Sequence, residues 1–200
     1  MIDIILSYFS RSTFITIFVL SWLSFYFILT FTILISRFVG LSSWQKKEEK
    51  ALESMLMGAR ITNTNSILKK SVSGKITKEK LAISQSMAER DSTSGLTWLS
   101  IIASTSPFIG LFGTVVSILD TFSKMGGGNA SIATIAPAIS EALVATGAGI
   151  FVAIPAYTFH LLIRRKSYEI MSIIGRTAEI LLYMSNENSS NLRAEIRNNV

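Results

Sequence analysis

Three stretches of this chain carry no formal charge over lengths that a lipid bilayer imposes. Ser12–Ser36 is 25 residues, Ser92–Leu119 is 28 and Ala142–Ile163 is 22. A helix needs about 20 mostly apolar residues to cross a hydrocarbon core of about 30 Å. The expected fold is therefore all-α, a membrane protein of three transmembrane helices. One residue stands out against that background. Apart from Glu141, nothing from Met125 to Ile163 is charged. A carboxylate at the mouth of a span is costly to desolvate, so it should face protein or water rather than lipid. That points to an ion or proton path. Solvation of Glu141 near the headgroups is the plainer alternative, because charge at a span's end costs far less than at its centre.

Composition narrows the chemistry. At 49% hydrophobic, the chain is too apolar for an ordinary soluble domain. Its net charge of +6 does not read as nucleic-acid binding, because the basic residues flank apolar runs and no motif interleaves them with stacking aromatics. The absence of cysteine excludes disulfides and thiolate metal sites, and a single histidine, His160, excludes any site needing two imidazoles from one chain. HExxH, GxSxG and P-loop patterns are missing, so an intramembrane enzyme has little support, and neither cofactor nor metal is expected. The N-terminus lacks the basic region and small-residue cleavage site of a signal peptide.

In chain order, residues 1–11 read as a short interfacial lead and 12–36 as the first span, closed by Arg37. Residues 37–91 change character. Leu41, Trp44, Leu52, Met55 and Ala59 fall at helical spacing with charge between them, an amphipathic helix. ITNTNSILKKSVSG follows as a polar loop ending at Gly74. A second amphipathic stretch places Ile76, Ile83 and Met87 on one face and runs into the second span, 92–121. One helix is expected from about Lys75 to Thr121, roughly 70 Å long and so projecting well out of the membrane. Pro107 interrupts it and would free the carbonyl of Ala103, with Ser104 and Thr105 close by to re-satisfy the backbone. Residues 122–131 form a turn whose Gly126–Gly128 triplet follows no strand and so is a connector, not a phosphate loop. The third span, 132–163, holds Pro137 and Pro155 as further kink positions. Apolar periodicity continues through Ile170, Ile173, Ile174, Thr177, Leu181 and Met184 in the 164–200 segment, and the polar tail after Asn186 is expected to fray.

Residues 37–91 hold 11 basic side chains and residues 164–200 hold 6, against one each for the N-terminal segment and the glycine turn. The positive-inside rule puts the 37–91 segment and the C-terminus in the cytoplasm, and the N-terminus and turn outside. Small residues then form two stripes. Ser106, Gly110, Gly113, Thr114, Ser117 and Thr121 line the second span; Ala138, Ala142, Ala145, Gly149, Ala153 and Ala156 line the third. Such stripes serve close packing within one subunit or leave room for a water-filled lumen. The hydroxyls and carboxyl of Thr114, Thr146 and Glu141 favour the second use. Glu141 and Thr146 are five residues apart, about 140° on a straight helix, so both cannot aim at one spot without a wide lumen or a distortion after Pro137. His160 lies too far from Glu141 to pair with it and reads as an interfacial residue near the cytoplasmic headgroups. Asp120 reads as the end of the second span.

STSPFIGLFGTVVSILDTF followed by IATIAPAISEALVATGAGIFVAIPA closely resembles the MotA/TolQ/ExbB proton-channel family, and the TolQ/ExbB branch in particular. The match is specific across residues 98–166; the first span and 37–91 match in arrangement and length. The resemblance implies a homopentamer around a central pore, in the bacterial inner membrane, with the second and third helices extended far into the cytoplasm. It implies a single-span partner of the ExbD/TolR type whose aspartate carries protons, and a TolA- or TonB-type protein that the proton flow energises. By position it assigns the family's lumen residues to Thr114, Glu141 and Thr146. Val116 stands where the family usually has Trp, and Ala138 and Ser140 depart from its APGIAEAL pattern.

The function expected is a proton-channel subunit converting proton motive force into work at the outer membrane, with protons as the transported ion. The short N-terminal lead favours a TolQ-like output, in envelope maintenance during division, over an ExbB-like one in nutrient import. The alternatives are a MotA-like flagellar stator, which would need four spans and a larger cytoplasmic domain, and a non-conducting membrane scaffold.

Overall fold

The computed structural model describes residues 14–57, 66–68, 76–125 and 132–198. The N-terminal lead, the glycine triplet, Ala59 and most of the 61–74 loop lie outside these. The described chain is helical: α1 (Phe14–Leu56), α2 (Lys78–Thr93), α3 (Leu96–Met125) and α4 (Ile132–Asn198). Three helical stretches, Phe14–Leu56, Lys78–Ser123 and Ile135–Glu187, are long and apolar enough to cross a membrane. The protein is a multi-pass membrane protein.

Two compact units share these helices. One is drawn from residues up to Ile35 and from Gly95–Leu161; the other takes Ser36–Ser94 and the residues from Leu162 onward. In the first unit, the apolar runs of α1, α3 and α4 pack through Val19, Leu23, Ile102, Ala145, Val152 and Ala156. Aromatic pairs extend the α1–α4 contact: Phe27 stacks on Phe151 with centroids 5.6 Å apart, and Phe31 meets Phe159 edge-on at 5.5 Å. Such offset and edge-to-face pairs add to the area they bury.

The expected single helix from Lys75 to Thr121 is two helices. Thr77, in extended conformation, caps α2 by accepting a hydrogen bond from Lys80 N, so the helix starts at Lys78. It stops at Thr93, Ser94 turns out with ψ 132°, and Gly95 takes φ 86° before α3 begins. That left-handed conformation is cheap only for glycine. The Ser-Gly dipeptide is a turn signal that the charge-free run around it conceals. The apolar face expected on α2 is also corrected. Ile83 and Met87 are exposed, and Leu81, Ala88 and Ser92 are the buried positions. The hydroxyls near Pro107 do not serve the Ala103 carbonyl. Ser104 donates to the carbonyls of Ser100 and Ile101, Thr105 to that of Ile101 and Ser106 to that of Ile102. Helix α3 continues through Pro107, and α4 through Pro137 and Pro155. Nor is the stretch after Asn186 frayed, since α4 reaches Asn198.

In the second unit, the 170–184 periodicity is a buried stripe: Ile170, Ile173, Ile174, Thr177 and Leu181 are all at most 7% exposed. Lys166 ties α4 to α1, donating to Ser42 Oγ at 2.6 Å with its ammonium 4.4 Å from the Phe38 ring centroid. Ser167 Oγ donates to Ser92 Oγ at 2.7 Å. The loop read as merely polar is anchored where it is described. Glu48, fully buried on α1, accepts from Trp44 Nε1 (3.1 Å), Ser66 Oγ (2.8 Å) and Ile67 N (2.9 Å), and Leu68 beside them is fully buried. A buried carboxylate is tolerable only with its lone pairs engaged in this way.

Substitutions at Gly95 and Glu48, with one at Gly40 as a control, test these anchors by thermal unfolding of the purified protein. Gly95→Ala is expected to cost about 1–2 kcal/mol because the alanine must hold a left-handed conformation. By contrast, Gly40→Ala, mid-helix with nothing within 4 Å of the new Cβ, is expected to gain up to about 1 kcal/mol. Glu48→Ala orphans three donors and is expected to cost about 3 kcal/mol or more, with Glu48→Gln falling between it and the native protein.

Candidate functional site

The site begins with two glycines. Gly110 on α3 and Gly149 on α4 face each other so closely that a Cβ on either would collide with backbone. On Gly149 it would lie 2.5 Å from Ser106 O, and on Gly110 it would lie 2.7 Å from Ala145 O. Gly113 adds a second tight point, against Val19 of α1 and Ala145. The small stripes are therefore used, along Ser106–Gly110–Gly113 and Ala142–Ala145–Gly149, for close packing within one subunit, and Ala142 and Ala145 are fully buried.

This approach brings together two of the three residues singled out in the sequence. Thr114, one turn beyond Gly110, and Thr146, one turn before Gly149, hydrogen-bond through their hydroxyls. Thr114 Oγ1 also lies 3.1 Å from the Ala142 carbonyl oxygen and 3.3 Å from that of Gly110; Thr146 Oγ1 lies 3.3 Å from the same Gly110 oxygen. Two hydroxyls have two protons for these acceptors. Either Thr146 donates to Thr114 and Thr114 to a carbonyl, or Thr114 donates to Thr146 and Thr146 to Gly110. The pair thus has two proton arrangements of opposite direction. Both threonines are half-buried, so neither is sealed in the packing.

Glu141 is not part of this pair. It is half-buried, on the turn of α4 next to Ala142, and the five-residue offset from Thr146 keeps it on a different face. Sequence reasoning did not find the buried hydrogen bond that links α1 to α3, between Thr16 Oγ1 and Ser117 Oγ at 2.8 Å. Its only signal was a hydroxyl on each span. His160 is half-buried, and its Nδ1–H donates to the Leu96 carbonyl at 3.1 Å, which ties α4 to the first turn of α3.

Residues 44–175 match the family model described as the MotA/TolQ/ExbB proton channel family. A Helicobacter pylori protein named biopolymer transport protein ExbB-like 1 is 40% identical over 185 residues, covering 90% of this chain and 98% of its own. Biopolymer transport protein ExbB of Neisseria gonorrhoeae is 57% identical over 63 residues, 31% of this chain and 29% of its own. Tol-Pal system protein TolQ of Pseudomonas aeruginosa is 43% identical over 77 residues, 38% and 33% of the two chains.

The helix approach has a direct test. Gly110→Ala and Gly149→Ala must push backbone apart and are each expected to lower stability by about 1–3 kcal/mol in thermal unfolding. Gly147→Ala, with nothing within 4 Å of its new Cβ, is expected to be neutral or mildly stabilising. From the family model over residues 44–175 and the similarity along nine-tenths of its length, the chain belongs to the MotA/TolQ/ExbB proton channel family.

Proposed function

We propose that this chain is the channel-forming subunit of a proton-driven machine of the bacterial inner membrane, in which Thr114 and Thr146 relay protons and Glu141 serves as a polar lumen group near the outer mouth. The observation that carries this reading is the reversible hydroxyl pair at the α3–α4 crossing. A proton entering on one side and leaving on the other flips the pair from one arrangement to the other. Hydroxyls do not store charge, so the relay needs an ionisable group opposite it. A single-span partner of the ExbD/TolR type, with an acid in its span, supplies one. The assembly is a homopentamer around a central pore, with the N-terminus periplasmic, the C-terminus cytoplasmic, and the far ends of the long helices in the cytoplasm. The excess of lysine and arginine in 37–91 and 164–200 supports that orientation. Each proton crossing 100 mV delivers about 2.3 kcal/mol, enough to drive stepwise motion of the partner against the ring. The transported species is the proton itself, with no cofactor.

The work is delivered to a TonB- or TolA-type protein. Similarity along 90% of the chain to a protein named ExbB-like, against 77 residues shared with a TolQ, supports the ExbB-like output. Loss of nutrient import on deletion, with envelope integrity at division intact, is the expected phenotype; the reverse would assign the TolQ-like output. The use of the small stripes for packing within one subunit favours a second reading, a non-conducting scaffold.

Proton flux into liposomes holding the chain and its partner separates the two. Thr114→Ala and Thr146→Ala are each expected to cut flux about tenfold or more, and the double variant to be no worse than either single, because the pair works as a unit. Thr114→Ser should keep most of the flux. Glu141→Ala is expected to abolish coupled work while the ring still assembles. Undiminished flux in both alanine variants would remove the relay, and no flux from the native complex would leave the scaffold.

A further inference from the structure

In the second unit, α1 and α4 enclose an open groove of about 460 Å³ whose lining includes Glu49, Glu53, Leu56, Tyr168, Glu169 and Arg176. It is acidic, with three carboxylates against one guanidinium, in a chain whose net charge is +6. Glu169 is paired with Arg165 at 3.2 Å, while Arg176 is occupied with Ser172 Oγ at 3.2 Å. Glu49 takes a hydrogen bond from Gln45 at 2.9 Å but, like Glu53, has no ion pair among the described residues. Glu49 and Glu53 stand four residues apart on one helix, a like-charge spacing that works against the helix. The groove is also apolar at its rim, where Leu56 is 71% and Tyr168 77% exposed.

The same turns of α1 carry the opposite charge on an adjoining face. Lys46, Lys47 and Lys50 are exposed, and Lys46 and Lys50 repeat the unfavourable like-charge spacing. The centre of this ridge lies about 120° around the helix from the centre of the groove-lining positions and about 90° from Glu49 and Glu53. Lysine stems are apolar and their heads cationic, so the ridge matches the groove in both respects, with Leu56 and Tyr168 for the stems and Glu49 and Glu53 for the ammonium groups.

We propose that this groove receives the Lys46–Lys47–Lys50 ridge of a second copy of the chain. The proposal rests on the ring assembly given under Proposed function and adds its contact surface in the extramembrane unit. In a ring whose axis is normal to the membrane, every copy lies at one depth, and each interface joins two different faces of the same protomer. Groove and ridge share one level of α1, so in such a ring the acidic groove of one copy can meet the basic ridge of the next. A face-to-face twofold pairing would instead place groove on groove.

The test uses the full chain in nanodiscs, assembled from an equal mixture of unlabelled and ¹⁵N-labelled protein. Zero-length carbodiimide coupling followed by peptide mass spectrometry is expected to recover mixed-isotope links from Lys46, Lys47 or Lys50 to Glu49 or Glu53. Glu49→Lys/Glu53→Lys is expected to lower the assembled fraction about tenfold by native mass spectrometry, and adding Lys46→Glu/Lys50→Glu to restore it. A native assembly that yields no such mixed links and is unmoved by the reversal would overturn the proposal while leaving the ring reading intact. A monomeric native chain would overturn both.

Discussion

The close approach of Gly110 and Gly149 governs the rest of the membrane unit. Lipid supplies no hydrophobic drive for one apolar helix to seek another, so packing and hydrogen bonding between helices must hold them together. A glycine on each side removes the two side chains that would keep the backbones apart. Their contact sets the spacing of α3 and α4, and that spacing lets two threonine hydroxyls one turn away reach each other. Move the helices apart by the width of a methyl group and Thr114 and Thr146 each fall back on their own helix's carbonyls, as Thr105 and Thr158 do. The third helix is fixed to the same crossing by Val19 against Gly113 and by the Thr16–Ser117 hydrogen bond.

The second unit is held by a different kind of contact, specific polar groups seated in an otherwise apolar seam. Glu48 gathers an indole, a hydroxyl and a backbone amide; Ser167 meets Ser92; Lys166 reaches Ser42 beside the Phe38 ring. None of these is worth much net against water, but each is expensive to break once buried, so together they select one register of helix against helix. Burying a stripe from Ile170 to Leu181 gives affinity between helices without saying where along their length they stop. The polar pairs supply that stop.

How much of this was legible in the sequence varies by kind of signal. The three spans were plain because a bilayer demands an uninterrupted run and the chain has three. Thr114, Thr146 and Glu141 stood out by their chemistry in an apolar setting, and the stripe of small residues between them was readable by spacing. Which of two uses the stripe serves was not readable, because a small residue permits close packing and a lumen equally; only the facing helix decides. Gly95 was hidden because a charge-free run reads as continuous whether or not one residue inside it turns left-handed. The α2 face was misassigned for a related reason. Ile83 and Met87 are the larger apolar residues, yet Leu81, Ala88 and Ser92 are buried, because the partner's surface selects for fit and a hydroxyl partner more than for size. Glu48 could have been found. It lies seven residues from Leu41 and from Met55, both buried, and a carboxylate on an apolar stripe signals a buried acceptor.

If the hydroxyl pair relays protons as proposed, its chemistry allows it to pass them but not to hold them. A threonine relays a proton by accepting one and giving up another, and it returns to neutrality each time. It offers no state in which a proton waits for the membrane potential to change sign or for a conformation to switch. That holding step needs a group whose charge changes, and Glu141 is offset from the pair by a rotation of about 140° along the helix. In the proposed channel, the acid presented to the threonines would therefore belong to the partner, on an element narrow enough to share the axis of a ring. On that reading, a relay in the walls and a charge carrier in the centre would divide the task between a fixed part and a moving part. Proton passage would then be tied to relative motion, because such a carrier could exchange protons only where the wall presents hydroxyls to it.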